Sequence, residues 1–494
     1  MEKICFDSEK YIKLQKAEIQ KRLKKFGGKL YMEFGGKLFD DFHASRVLPG
    51  FDPNIQVKLL DSFKDECEIL MVISAEDIQN DKIRADFGIT YEVEVLRLIN
   101  IFRQRGLTVS GIVVSLFNNQ EGAIEFKKRL EEMGEKVYVH YFTKGYPTDV
   151  KTIVSEQGYG KNDYIKTTRP LVVVTAPGPG SGKLATCLSQ LYHDNKHGIM
   201  AGYAKFEKFP VWNLPLKHPV NLAYEAATAD LKDVNLIDSY HFEAYGEIAI
   251  NYNRDLEAFP VLKRILHSIL GKDIYKSPTD MGINTIASCI TDDEMARESA
   301  KQEIISRYLK ARARLKQGKA SLQEIERIRL IMNDLGLSIY DRKCVMAAEA
   351  KKQDTKEPSF AIELEDGKVV VGRRTSLLSA PASAILNALK TLAGIEDKFE
   401  LLPPVTLKPT INLKENILTT ENKRLNVRDM LLVLSISAST NPLSNVAFGK
   451  LLELRSCKAH STNILSDSTM EVLGSLGLNV TCGDELLPSN LYNE

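Results

Sequence analysis

The sequence predicts an α/β fold: a mostly parallel sheet with helices on both faces, of the Rossmann or phosphate-loop kind. Three features carry that expectation. Continuous apolar segments alternate with amphipathic ones from residue 29 to residue 175. Glycines stand just past the amphipathic segments, where a helix end favours a residue that accepts positive φ. A β-branched run at 171–175 leads straight into a Gly- and Pro-rich loop at 176–183. Uninterrupted apolar strands signal burial on both sides, the condition of a parallel sheet under helices.

Each element follows from its own pattern. Residues 9–26 have helical spacing and stop at Gly27-Gly28. Residues 29–34 read as a strand, followed by Gly35, Gly36 and Lys37. Strands are expected at 68–74, 111–117, 136–142 and 171–175. Helices are expected between them at 91–105, 122–133 and 148–156, with Gly106 and Gly134 closing the first two. Residues 184–192 are helical again. Residues 200–290 are rich in Tyr, Asn, Pro and His and show little periodicity. A long irregular stretch inside a compact domain is expected to be functional. Residues 292–317 form a charged helix, and Ser321 to Glu324 open the next one as a capping box. This pair reads as a connector or an oligomerisation arm. After a polar break at 353–358, residues 360–364 and 369–371 form a hairpin around Asp366-Gly367. Helices follow at 379–392, 427–437 and 443–454. The expected division is an α/β domain at 1–290, a helical hairpin at 291–349 and a smaller α/β domain at 350–494.

The totals narrow the function classes. A chain of 494 residues needs more than one core. With 66 basic and 65 acidic residues it lacks the basic excess of a general nucleic-acid binder. The seven cysteines are scattered and never form Cys-x-x-Cys, which fits reduced thiols in a cytoplasmic protein. No apolar run approaches the roughly 20 residues of a membrane span, and no signal peptide is read at the start.

The loop at 176–183 is the leading site. Gly178, Gly180, Ser181 and Gly182 bring backbone N–H groups towards an anion, the helix start adds positive potential, and Lys183 can reach a terminal phosphate. The match to the Walker pattern is partial. Pro177 stands where the first glycine belongs, and Leu184 replaces the magnesium-binding Ser/Thr. Thr186 or Ser181 could help instead. In the segment 33–46, Lys37 can cradle an anion, Asp40 and Asp41 can hold a metal, and His43 can move a proton. Lys205 and His218 lie in a Pro-rich stretch with the only tryptophan, Trp212, a composition suited to a small-molecule pocket. Asp230 and Asp238 are the expected magnesium ligands, Asp238 because it follows a Walker B-like run at 234–237.

Five runs add a family resemblance. They are YMEFGGKLFDDFHASRVLPGF at 31–51, VVVTAPGPGSGKLATCLSQLYHD at 172–194, KFEKFPVWNLPLKHPVNLAYEAATADL at 205–231, EAYGEIAINYNRD at 243–255 and SPTDMGIN at 277–284. Together they resemble the bacterial domain of unknown function 1846 family, also called uncharacterised protein family 0371. The resemblance spans the whole chain. It implies a bacterial, cytoplasmic, two-part α/β protein and assigns no catalytic residue.

The function expected from the residues is a nucleotide-dependent ligase or phosphotransferase acting on a small metabolite, with ATP and magnesium as cofactors. Lys183 would stabilise charge on the transferred group. One alternative is an enzyme on a phosphorylated or carboxylated metabolite without nucleotide. Another is a non-catalytic ligand sensor or scaffold. The expected partners are an anionic small molecule and further copies of the chain, with neither nucleic acid nor membrane.

Overall fold

The computed structural model describes residues 4–36, 38–84, 88–418 and 423–486. It divides into two compact units, Met1–Glu225 with Lys232–Ala300, and Ala226–Leu231 with Lys301–Glu494. The division falls within the helix Asp293–Lys316.

The first unit is built on seven parallel strands. They are β1 (Leu30–Phe34), β2 (Cys67–Ser74), β3 (Thr108–Phe117), β4 (Val137–Tyr141), β5 (Leu171–Thr175), β6 (Gly202–Phe206) and β7 (Gly282–Ile283). Across the sheet the order is β7-β6-β1-β5-β2-β3-β4. Every residue of β2 and β5 is buried. Each fully buried Leu, Ile, Val or Met contributes about 2 kcal/mol, in keeping with the apolar runs 69–73 and 171–174; the one charge in these strands, Glu68, accepts from the Thr168 and Arg169 amides.

Helices cover the sheet: α1 (Ser8–Lys25), α2 (Tyr91–Gln104), α3 (Glu121–Glu132), α4 (Lys183–Lys196) and α5 (Asn253–Leu270). Helix α3 buries Ala123, Phe126 and Leu130, one turn apart, against the sheet. The helix expected at 148–156 shrinks to one turn, Val150–Ile153. Gly158 then folds so close to it that a Cβ would lie 2.3 Å from the carbonyls of Thr152 and Ile153.

The stretch 200–290 is more regular than its composition suggests. It holds β6, β7 and a ribbon of Asn235–Ile237 against Ile250–Tyr252. It also holds the 18-residue α5, which contains Pro260. Phe259, Leu262, Ile265, Leu266 and Ile269 form its buried face. That stripe outweighs the single hydrogen bond the proline removes.

The second unit contains four strands, β8 (Ser359–Glu363), β9 (Val369–Arg373), β10 (Lys458–Ser461) and β11 (Asn479–Cys482), in the order β9-β8-β10-β11. Strands β10 and β11 are parallel and the other pairs antiparallel. The hairpin of β8 and β9 is the one predicted. The polar segment at 353–358 is not a full break, because the helix Lys343–Thr355 runs into it. Helix Ala380–Ala393 lies so close to β9 that a Cβ on Gly372 would stand 2.2 Å from the Ala384 nitrogen. All seven cysteines are buried free thiols. Among the described residues no helix is long and apolar enough to cross a membrane.

Candidate functional site

Strand order points to one place. β5 and β2 are neighbours, and the chain leaves β5 for β6 on one side and leaves β2 for β3 on the other. Their connections therefore diverge, which opens a crevice at the carboxyl ends of the strands. The loop 176–182 lies at that switch point, directly after β5 and before α4.

The loop's shape explains its glycines. A Cβ on Gly178 would sit 2.2 Å from the Tyr91 hydroxyl of α2, so the backbone fits only without a side chain. Gly182 has φ +83° and caps α4, and a Cβ there would meet Ser115 Oγ at 2.9 Å. Ser115 Oγ donates to the Ser181 carbonyl at 2.7 Å, which pins the loop to β3. Ser181 Oγ turns inward and donates to the Gly178 carbonyl at 2.7 Å. No side chain caps α4, so its first-turn amides remain for another acceptor. Thr186 Oγ1 is buried and has no hydrogen-bond partner among the described residues.

Lys183 opens α4 with Nζ 3.5 Å from the Gly178 carbonyl. Burial pushes its ammonium below the ordinary lysine value, and the nearby Glu33 carboxylate opposes that. Glu33 comes from β1, where register sets it directly beside Lys205 of β6. Tyr203, two residues before Lys205 and therefore on the same face, donates its hydroxyl to Glu33 Oε2 at 2.8 Å. Lys205 Nζ bonds Asp255 of α5 at 2.8 Å and also pairs with Glu207. Burial works against the Lys205 charge, but the Asp255 and Glu207 carboxylates prevail and raise its pKa. Burial pushes Glu207 up to about 7, against the pull of Lys205 and with Asp255 adding to the rise. Arg254 lies close enough to depress Lys183 further. Four segments thus bring Lys183, Lys205 and three carboxyl groups together beside the loop, while the half-exposed Arg254 pairs with the buried Asp233 at 3.3 Å.

The other predicted residues separate from this cluster. Lys37 lies outside the described residues. Asp40 has φ +55° and its amide donates to Asn54 Oδ1, so it shapes the turn after β1. Asp41 caps the helix Phe42–Val47 and pairs with Lys208, just past β6. Burial disfavours the Asp41 charge, yet the Lys208 ammonium wins and lowers its pKa. The His43 ring meets Tyr224 edge-on at 4.5 Å. Lys208 in turn lies over the Phe51 ring.

Both ring nitrogens of His218 are engaged within the first unit. Its Nδ1 accepts from the Val220 amide at 3.2 Å, and Nε2 lies 2.9 Å from Asp293 Oδ1. Burial lowers its pKa. Asp238 is fully buried and both its oxygens are occupied. Oδ1 caps the helix Ser239–Tyr245, and Oδ2 accepts from the Thr279 amide and, at 2.6 Å, its hydroxyl. Asp230 belongs to the second compact unit, whereas Asp238 belongs to the first. Among the described residues, no three His, Cys, Asp or Glu side chains are grouped to hold a metal ion.

Glu33, Glu207, Arg254 and Asp255 escape a reading of residue types alone. The available signal is a lone charge inside a buried strand: Glu33 within LYMEF and Lys205 within GYAKF. A strand of that burial tolerates a charge only with a partner.

Comparison with known proteins agrees with the resemblance drawn from the sequence. Residues 4–336 match the family model described as domain of unknown function DUF1846, N-terminal, and residues 340–492 match its C-terminal counterpart. The chain is 52% identical over 499 aligned residues to the UPF0371 protein of Clostridium tetani (strain Massachusetts / E88), covering 99% of each chain. It has the same identity and coverage against the UPF0371 proteins of Clostridium botulinum strains Loch Maree and Kyoto. With both family domains matched in order across nearly its full length, the chain belongs to the DUF1846 family.

Proposed function

We propose that the first unit is an enzyme that holds a small phosphorylated or carboxylated metabolite at the loop 176–183 and moves a proton on it. The observation that carries this reading is the convergence of Lys183 and Lys205 with Glu33, Glu207 and Asp255 at the switch point. The loop amides and Lys183 hold the anion. Glu207, with a pKa of about 7, is suited to give and take a proton near neutrality. Lys205 and Asp255 position it. A buried acid perturbed by burial and a specific charge partner is a common mark of such a site.

A nucleotide is the second reading. The strand, glycine loop and helix with Lys183 at its start favour it, while the engagement of Asp238 within the protein counts against it. Thermal-shift titrations separate the two. Inorganic pyrophosphate and a panel of sugar phosphates and dicarboxylates are expected to stabilise the protein without magnesium, and Lys183→Ala to abolish the shift. Stabilisation by ATP alone, dependent on magnesium, would replace the first reading with the second. A shift unchanged in Lys183→Ala would remove the loop from both.

A further inference from the structure

A cavity of about 520 Å³ opens along the edge strand β7, within the size range of small-molecule sites. Its ligand preference can be read from which lining groups are already occupied. Asn284 Nδ2 donates to the carbonyls of Lys208 and Pro210, and its Oδ1 accepts from the Ile286 amide. Thr285 Oγ1 donates to Gln15, and Thr279 Oγ1 to Asp238. These neutral groups are fixed within the protein.

The remaining lining combines Trp212, His241 and Tyr245 with three carboxylates, Arg22, Asn213, Ile283 and Ser288. Trp212 ties its Nε1 to the Asn284 carbonyl at 3.2 Å, which leaves the face of its ring as the contact surface. His241 lies 6.0 Å from Trp212 and 4.8 Å from Tyr245, ring to ring. Although His241 is only 7% exposed, it lines the cavity. Its Nδ1 is held by Ser277 Oγ at 2.9 Å, while Nε2 comes no nearer than 4.0 Å to Glu247. Glu18, Glu247 and Asp280 line the cavity with one guanidinium, Arg22, which lies over the Tyr275 ring; Lys21 pairs with Glu18 at 3.6 Å, and Lys276 lies 5.4 Å from the centre of the Tyr245 ring. Tyr245 donates to Asp280 at 2.9 Å and so joins an aromatic ring to a carboxylate in one wall.

We propose that this cavity binds a small organic ammonium compound, its charged head held between the face of the Trp212 ring and the carboxylates of Glu18, Glu247 and Asp280. Aromatic faces with an acidic surround select cations, and the same lining repels phosphate. The loop at 176–183 does not line this cavity, although Glu207 lines an adjoining pocket that shares Trp212, Thr279, Gly282 and Asn284 with it.

Trp212 is the only tryptophan in the chain, so fluorescence reads this cavity directly. The full-length protein is titrated with choline, putrescine and glucosamine at constant ionic strength. The controls are the uncharged carbon isostere of choline, glucose and inorganic phosphate. A saturable change with at least one amine is expected, at least about ten-fold tighter than any control. Glu18→Gln and Glu247→Gln should each weaken it roughly five-fold, as exposed charge pairs do. Lys183→Ala should leave it unchanged, even if the loop binds nothing. No saturable change with any amine, a control that binds as well, or an unaffected double Gln variant would each overturn the proposal.

Discussion

Replacing Glu207 by glutamine removes an ionisation from a place where burial, with Asp255 and Glu33 nearby, disfavours it. The protein raises Glu207 from an ordinary 4.5 to about 7. At about 1.36 kcal/mol per decade, that difference is on the order of 3 kcal/mol. The sign follows from which state loses its proton first. Below pH 4.5 both folded and unfolded chains are protonated, so the wild type and Glu207→Gln should have similar stability. As pH rises towards 7 the unfolded chain ionises while the folded one keeps its proton, and the wild type loses stability. The variant has no such loss, and its amide oxygen can still accept from Lys205. The expected result is a relative gain that grows between pH 4.5 and 7 and levels off above. Urea unfolding of both proteins from pH 4 to 9, following the transition of the first unit, measures it. A difference that stays constant over that range, or a gain confined to low pH, would refute the account of Glu207 and with it the proposed proton carrier.

Three other outcomes follow from the same geometry. Burial holds His460 at about 3, with the Arg342 charge adding to the effect, so its folded form stays neutral while the unfolded chain protonates below 6.5. Stability should therefore fall from pH 6.5 towards 3, and His460→Gln should move the acid-unfolding midpoint of the second unit to lower pH; an unchanged midpoint would contradict this. Gly178→Ala should cost about 1–3 kcal/mol through its clash with Tyr91, and much less in a Tyr91→Ala background, as a double-mutant cycle would reveal. Asp238→Ala should cost about 3 kcal/mol with or without magnesium, because it removes a helix cap and strands the Thr279 hydroxyl and amide. A fully stable Asp238→Ala would return that carboxylate to the list of ligand groups.

The parts of the fold legible in the sequence are those set by local burial. Strands β2 and β5 are buried along their whole length, and a continuous apolar run is the local signature of that state. Helix α5 obeys the same logic, yet Pro260 and its polar start mask a stripe that still spaces Phe259, Leu262, Ile265, Leu266 and Ile269 along one face. The loop 176–183 is legible because its chemistry is contiguous. The charges around it are not, because sheet order creates them. Glu33 reads as one polar residue of β1 until β6 pairs beside that strand and sets it against Lys205. The hydrogen bond from Tyr203 to Glu33 spans 170 residues of chain, and no spacing rule reaches that far. The same cause misplaces Asp238. Following a short apolar run is a local property shared by a magnesium ligand and a helix cap, and only the position of Thr279 distinguishes them. A buried strand that carries a single charge points to a partner elsewhere in the fold, structural for Glu68 of β2, which accepts from the Thr168 and Arg169 amides, and charged for Lys205. In this chain the partners of Glu33 and Lys205 mark the crevice.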